Sequence, residues 1–413
     1  MMFRSHRALR SLSSAKFQLS RLSQVTRGKQ TAVFSWGIGT GGQLGHKNFQ
    51  VVTQSAFEGE NYVQLQPRRM VKSKRFKEVA CGESFSLGLT QDGDLLGWGT
   101  GYEGEDSQAN TPVPLMLPEG CAKIEKIFAG ARHAAAVDIN GNVLTWGHGG
   151  SWFKGGGQLG HGDTISKENP TYIEELKSYG AKVTQVSLGN SHSLFLTDDG
   201  EVLSCGIDDY GRLGTGASSN ATVPAPLTEL LDETIVQVSA GNAHSIALTD
   251  DGRIFTWGRN DAGQLGHSDS YIDIYSMEDF PRQVKSEELK KQTVAHVTAG
   301  YQRCGVVTHE GNLFVWGLKL SHVPAMVSRE NLGGLRIVAA EMGGSATSGG
   351  VISILAEDGS LWTMGDGKSK MLGMVKPPSR LTEPEKVAGE WVGKVLSLAT
   401  GPGSHQAVIA EME

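Results

Sequence analysis

The chain has 413 residues, room for several ordinary domains or for one large repeat domain. Its 55 glycines beside only 13 prolines exclude a collagenous or disordered composition, and no run approaches the ~18 apolar residues of a membrane-crossing helix. The formal charge of −6 hides an asymmetry: residues 1–30 hold seven Lys/Arg and no Asp or Glu, which leaves about −13 on the remainder.

That first segment also carries six serines and spaced apolar residues (Phe3, Leu9, Leu12, Phe17, Leu19, Leu22). An Arg- and Ser-rich, acid-free, amphipathic start with no continuous apolar stretch has the pattern of a mitochondrial transit peptide, not of a secretory signal. Residues 1–30 are therefore expected to be a transit peptide, disordered or cleaved. A basic arm that touches nucleic acid is the alternative.

From Thr31 the order becomes periodic. A strand is predicted over 31–37, ending in Trp36-Gly37, and its counterparts end at Gly99, Gly147, Gly206, Gly258, Gly317 and Gly365. The first loop, Gly37 to Gly42, matches G-x-G-x-x-G, but Gln43-Leu44-Gly45-His46 follows it where a dinucleotide site would need a helix. Gln66 to Lys77 is basic; Arg68, Arg69, Lys72, Lys74 and Arg75 are weak candidates for phosphate contacts, with a solvated connection as the plainer reading.

Each unit runs in one order. A V-x-x-V-S-A-G strand comes first, then an H-S-x-A-L strand, as in Val236 to Leu248. A two-residue Asp-Gly or Asn-Gly hairpin turn is predicted next, then the Trp-Gly strand and a glycine-rich loop closing on Gly-Gln-Leu-Gly-His. His133, His192, His244 and His405 share one register, with Phe85, Arg303 and Val351 in the other units. Residues that recur unit after unit point to structural hydrogen bonds and not to catalysis. A short helix is predicted at Ser286–Lys291. The four cysteines have no metal-ligand or disulfide spacing, and Cys205 stands where other units have Trp, a buried packing position.

One unit departs from the pattern. After Trp146-Gly147 the loop reads HGGSWFKGG, where RNDA suffices after Gly258. The insertion makes His148, Ser151, Trp152, Phe153 and Lys154 candidate protein-binding residues, since aromatics on a loop are typical interface anchors. The alternative is that the two rings fold back over the unit's own top.

The ends are complementary. The first unit lacks the A-G-x-x-H-S hairpin, while Val395 to Ile409 supplies that hairpin with no Trp-Gly strand after it. Strands of this kind stacked around an axis predict an all-β, seven-bladed β-propeller over residues 31–413. Its last blade is closed by strand 31–37 pairing with strands 395–409, which removes open sheet edges.

The coincidence of A-G-x-x-H-S, D-G-x-[VIL]-[FL]-x-W-G and G-Q-L-G-H in register resembles the regulator of chromosome condensation repeat family, whose fold is a seven-bladed propeller. The transit-like start resembles that of its mitochondrial members. The resemblance implies a non-enzymatic scaffold in the mitochondrial matrix, with partners in transcript processing, splicing or ribosome assembly and hence respiratory-chain biogenesis. The alternative is a guanine-nucleotide exchange factor for an organellar GTPase, as in the family's nuclear member. Neither a catalytic site, a metal nor a cofactor is expected.

Overall fold

The computed structural model describes residues 30–46, 63–70, 75–103, 107–151, 155–268, 272–345, 349–391 and 393–412. They form seven four-stranded antiparallel sheets arranged as the blades of a propeller. Blade 1 spans Phe76–Pro114, blade 2 Ile124–Tyr172, blade 3 Val183–Pro226, blade 4 Ile235–Gln283, blade 5 Val294–Met326 and blade 6 Ile337–Lys386. Blade 7 takes two strands from each end of the chain, in the order Val63–Arg69, Thr31–Ile38, His405–Glu411, Val395–Thr400. Thr31 to Gly37 pairs residue for residue with Glu411 to His405, so the predicted closure holds.

The first strand of each blade lines the central channel, and the sequence pattern there is enforced by a register shift. In every blade the pairing of this strand slips after its first residue: Phe76/Glu78, Ile124/Lys126, Val183/Gln185, Ile235/Gln237, Val294/His296, Ile337/Ala339 and Val395/Ser397. Such a bulge turns the following side chains and increases the local twist. In blades 3, 4 and 5 the residue after the slip reaches across to the next blade's backbone. Gln185 Nε2 donates to Val238 O at 3.1 Å, Gln237 Nε2 to Val297 O at 3.1 Å, and the His296 ring meets Ala340 O at 3.1 Å.

The hairpin between the second and third strands differs from expectation. A two-residue turn with glycine second needs positive φ at both central residues, and here only the glycine has it: Gly93, Gly141, Gly200, Gly252, Gly311 and Gly359 lie at φ 78–98°, their Asp, Asn and Glu neighbours do not. The loop is three residues long. In blade 4, Gly252 N donates to Thr249 O at 3.1 Å and Thr249 N to Arg253 O at 2.9 Å, a turn followed by a left-handed glycine. The carbonyl of that glycine then receives the first strand of the next blade, as in Ile235 N to Gly200 O at 3.2 Å. The predicted helix at Ser286–Lys291 is absent; the segment is a set of turns, held by Lys290 N to Ser286 O and Gln292 N to Leu289 O. A six-residue helix at Glu174–Tyr179, ended by left-handed Gly180, went unpredicted.

On the opposite face, the Gly-Gln-Leu-Gly loop, in the blades that have it or a near copy of it, grips the next blade. The Gln43 carbonyl accepts Ser86 Oγ at 2.9 Å and Trp98 Nε1 at 2.8 Å. The Arg212 carbonyl accepts Ser245 Oγ at 3.1 Å and Trp257 Nε1 at 3.0 Å, and Gln264 O accepts Trp316 Nε1 at 2.9 Å. Cys205 holds the tryptophan position of blade 3, buried against Gln158 O at 3.6 Å, with its thiol pushed up by burial.

The repeat histidines complete the junction. His133 Nε2 lies 2.9 Å from Ser193 Oγ, His192 Nε2 3.0 Å from Ser245 Oγ and His405 Nε2 2.9 Å from Ser86 Oγ, each serine on the next blade. The serine proton goes to the loop carbonyl, so the imidazole donates from Nε2 and keeps a bare Nδ1. The Nδ1 atoms of His133, His192, His244 and His405 are buried without a partner, which is where a second proton would have to sit. Burial accordingly holds these rings well below the usual histidine range: His133 at about 3, His244 and His405 at about 4, and His192 also depressed.

The pH dependence follows from the sign of these shifts. Unfolded histidine titrates near ~6.5, so as pH falls from there toward about 4 the unfolded chain takes up protons that the folded one refuses, and stability is lost. Glu78 and Glu341, both raised to about 7 by burial, act oppositely but are fewer. Urea melts should therefore show lower stability at pH 5 than at pH 7.5. A midpoint that is flat or rises over that interval would refute the assignment.

Candidate functional site

Because strands alternate direction, the loops after the Trp-Gly strands and the turns between first and second strands share one face, the loop face. Function has to be sought among departures on it, since the repeated His, Ser and Trp are already engaged between blades.

The insertion of blade 2 rises from this face. Gly150–Ser151 pairs with Gly155–Gly156 as a small two-stranded sheet. Its base is fixed: Gly157 N donates to Gly149 O at 2.8 Å, Gly149 N to Ser166 Oγ at 3.2 Å, and Gln158 Nε2 to His148 O at 2.7 Å. The glycines are needed for close approach, since a Cβ on Gly149 would meet Ile165 O at 2.4 Å and one on Gly156 would meet Gly149 O at 2.3 Å. Trp152, Phe153 and Lys154, and the side chain of Ser151, lie outside the described residues. His148, at the base of the insertion, is described. Its N–H donates to Arg132 O at 2.9 Å, and it lines a cleft of about 200 Å³ between blades 1 and 2 with Glu83, Phe85, Thr100 and Arg132.

Three of the candidate residues of the basic run are described. Arg68 and Arg69 sit on the fourth strand of blade 7, opposite Ser35 and Phe34, where Arg68 O also contacts the His46 ring at 3.2 Å. Arg75 is exposed just before blade 1, and Lys72 and Lys74 lie outside the described residues.

A second departure sits between blades 5 and 6. Blade 5 lacks the Gly-Gln-Leu-Gly loop, and blade 6 has Met364 where its Trp would reach for that loop's carbonyl. Arg303, in the histidine register opposite Gly317, fills the junction instead. Its Nη2 meets Asp366 Oδ2 at 3.2 Å and its Nε donates to Leu318 O at 2.9 Å. Asp366 also accepts Gly350 N at 3.1 Å and pairs with Lys319 at 3.3 Å, contacts that hold its carboxyl below the usual range against the opposing effect of burial. Arg303 is visible in the sequence register, but its partner is not, because Asp366 lies 63 positions away.

The third feature was not foreseen. The channel widens into a funnel of about 530 Å³ that opens on the loop face through Asn190, Asn242, Tyr301 and Pro402. Its only charged lining residues among those described are Glu83 and Glu341. No three of His, Cys, Asp and Glu among the described residues converge to hold a metal ion. None of the described helices is long and apolar enough to cross a membrane.

Comparison with known proteins places this geometry. The RCC1-like domain profile matches residues 20–321. The ultraviolet-B receptor UVR8 of Arabidopsis thaliana is 32% identical over 290 residues, covering 69% of this chain and 60% of that protein. The mitochondrial RCC1 domain-containing protein RUG3 of Arabidopsis thaliana is 29% identical over 260 residues, covering 60% of this chain and 54% of that one. The match thus takes in less than two thirds of either relative's length. The crystal structure of human WBSCR16 superposes with a TM-score of 0.79 at 23% identity, over 93% of this chain and 100% of that chain, a likeness of fold.

The junction of blades 5 and 6 gives a direct test. Arg303→Met leaves the buried Asp366 carboxylate with only Lys319 and one backbone N–H, and should destabilise by about 3 kcal/mol in urea melts. Arg303→Met combined with Asp366→Leu should recover much of that loss. Two single changes whose costs simply add would show that the pair is not coupled.

Proposed function

The chain belongs to the RCC1-like domain family, and we propose that it serves as a non-enzymatic interaction scaffold in the mitochondrial matrix, supporting transcript processing, splicing or ribosome assembly and hence respiratory-chain biogenesis. The observation that carries a binding role is the blade 2 hairpin. Its base is locked by glycine packing and three hydrogen bonds, and it carries Trp152-Phe153-Lys154 in sequence between the paired strands. A rigid base lowers the ordering cost of an anchor at an interface.

Two observations support the compartment: the acid-free, Arg-rich residues 1–30, and the likeness to RUG3, described as mitochondrial. The partners in this reading are mitochondrial proteins, namely RNA-processing or ribosome-assembly factors. Direct RNA contact through Arg68, Arg69, Lys72, Lys74 and Arg75 is a lesser part of it.

A second reading has its own observation. The hairpin follows a Trp-Gly strand in an early blade, a place similar to the one from which the exchange-active family member presses on its GTPase. In that reading the chain accelerates GDP release from an organellar GTPase, and no bond is made or broken by the propeller.

Affinity capture from matrix extract separates these readings. The tagged chain should retain RNA-processing or ribosome-assembly proteins, and Trp152→Ala with Phe153→Ala should release them without changing the melting temperature. Capture of neither class would sink the scaffold reading. GDP release from a panel of matrix GTPases tests the second. Sequencing the mature N-terminus should find it at or before Thr31; an intact Met1 would argue for a basic arm.

A further inference from the structure

The channel carries an unmatched carboxylate. At the fifth position of the seven first strands stand Ala80, Phe128, Ser187, Ser239, Thr298, Glu341 and Ala399. In this row Ser187 Oγ accepts Ala240 N and Ser239 Oγ accepts Ala299 N, both at 2.9 Å, so polar side chains here normally answer the next blade's backbone. The arrangement fails at blades 5 and 6. Thr298 Oγ1 is buried without a partner, and no hydrogen bond or ion pair joins the Glu341 side chain to any described residue.

Glu341 is half-buried, and the part left open lines the funnel. Burial alone pushes its carboxyl up to about 7, and no cation among the described lining residues opposes the shift. The funnel walls are otherwise apolar side chains and small polar groups, with Phe128 on the wall and Tyr301 at the mouth. Glu83, also at the loop face, is the one other charge among the described lining residues, and it has the same sign. A volume of about 530 Å³ lies within the range of sites that enclose a small ligand or a few side chains.

We propose that this funnel receives an arginine side chain from a partner protein, its guanidinium paired with Glu341. The chemistry selects that group in three ways. A buried carboxylate without a partner is stabilised most by a charged donor that can make two parallel hydrogen bonds, which the guanidinium fork provides. Its weaker hydration lowers the cost of leaving bulk water for the confined channel. Aromatic faces at the wall and mouth favour a delocalised cation on its way in. A metal ion is a poor fit, because the described lining offers no converging set of ligands. None of the described residues of the blade 2 hairpin lines the funnel, so the proposal goes beyond the reading above and does not depend on it.

Fluorescence polarisation on the full-length chain tests it with a labelled Gly-Ser peptide carrying one central arginine, beside versions with lysine and citrulline. The arginine peptide should bind saturably and at least tenfold more tightly than the citrulline one, with lysine between them. Glu341→Gln should weaken the arginine peptide at least tenfold and leave the citrulline peptide unchanged. Ala80→Leu, which narrows the funnel without touching a charge, should weaken all three, so the test survives if Glu341→Gln fails to fold. Equal binding of arginine and citrulline peptides overturns the proposal. So does undiminished arginine binding in either folded variant. Because the probes are synthetic, failure here would leave the matrix-scaffold reading standing.

Discussion

The backbone carbonyl just ahead of the loop leucine is the interaction on which this propeller depends. It is a single buried acceptor that receives a tryptophan N–H and a serine hydroxyl from the next blade, as Gln43 O and Arg212 O do. A buried carbonyl left without donors would cost on the order of 1–3 kcal/mol, while satisfying it twice ties two sheets that share no strand. The indole adds a large buried apolar face to the same junction; Trp36, Trp98, Trp146, Trp257 and Trp316 are all essentially inaccessible.

That constraint explains why departures come in matched pairs. Blade 1 has Phe85 where others have His, and blade 2 has Ala134 where others have the serine it would meet; the two pack in one apolar cluster. Blade 5 has no loop carbonyl, and blade 6 no indole to reach for it. Blade 5 has Cys304 for the serine, and His244 turns to the Arg303 carbonyl at 3.2 Å instead. At blade 7, Gln406 takes the serine's role and donates to Met371 O beside Trp36. At these junctions a lost donor goes with a lost acceptor or is replaced by another donor.

The same logic separates scaffold from function. Groups that satisfy one another between blades are not available to a partner, however chemically suggestive they are as a list of histidines and serines. What remains is the loop face, where the glycine-based hairpin of blade 2 and the mouth of the funnel both open. Glu341, like the neighbouring Thr298, departs from the pairing that Ser187 and Ser239 make in the same row, and blade 7 offers no compensating change, since Ala399 holds the same position there. An uncompensated exception inside a cavity differs in kind from the compensated ones between blades.

The seven units, their strands, the closure of blade 7 and the structural role of the repeat histidines were legible in the sequence. Each is encoded by short-range spacing repeated in register, and repetition averages out local ambiguity. The three-residue hairpin loop was not, because Asp-Gly fits more than one turn and the backbone of Asp251 and its counterparts, whose φ is not positive, distinguishes them. The hairpin at Gly150–Gly156 could be placed on the chain as an insertion, while its anchoring to Ser166 and Gln158 needed the fold. The Arg303–Asp366 pair and the lone Glu341 depended on tertiary structure altogether. The sequence by itself determined the repeat and its ring, since periodicity is a local property. Which residues lacked a partner was decided only when neighbouring blades, about 60 residues apart in the chain, were brought into contact.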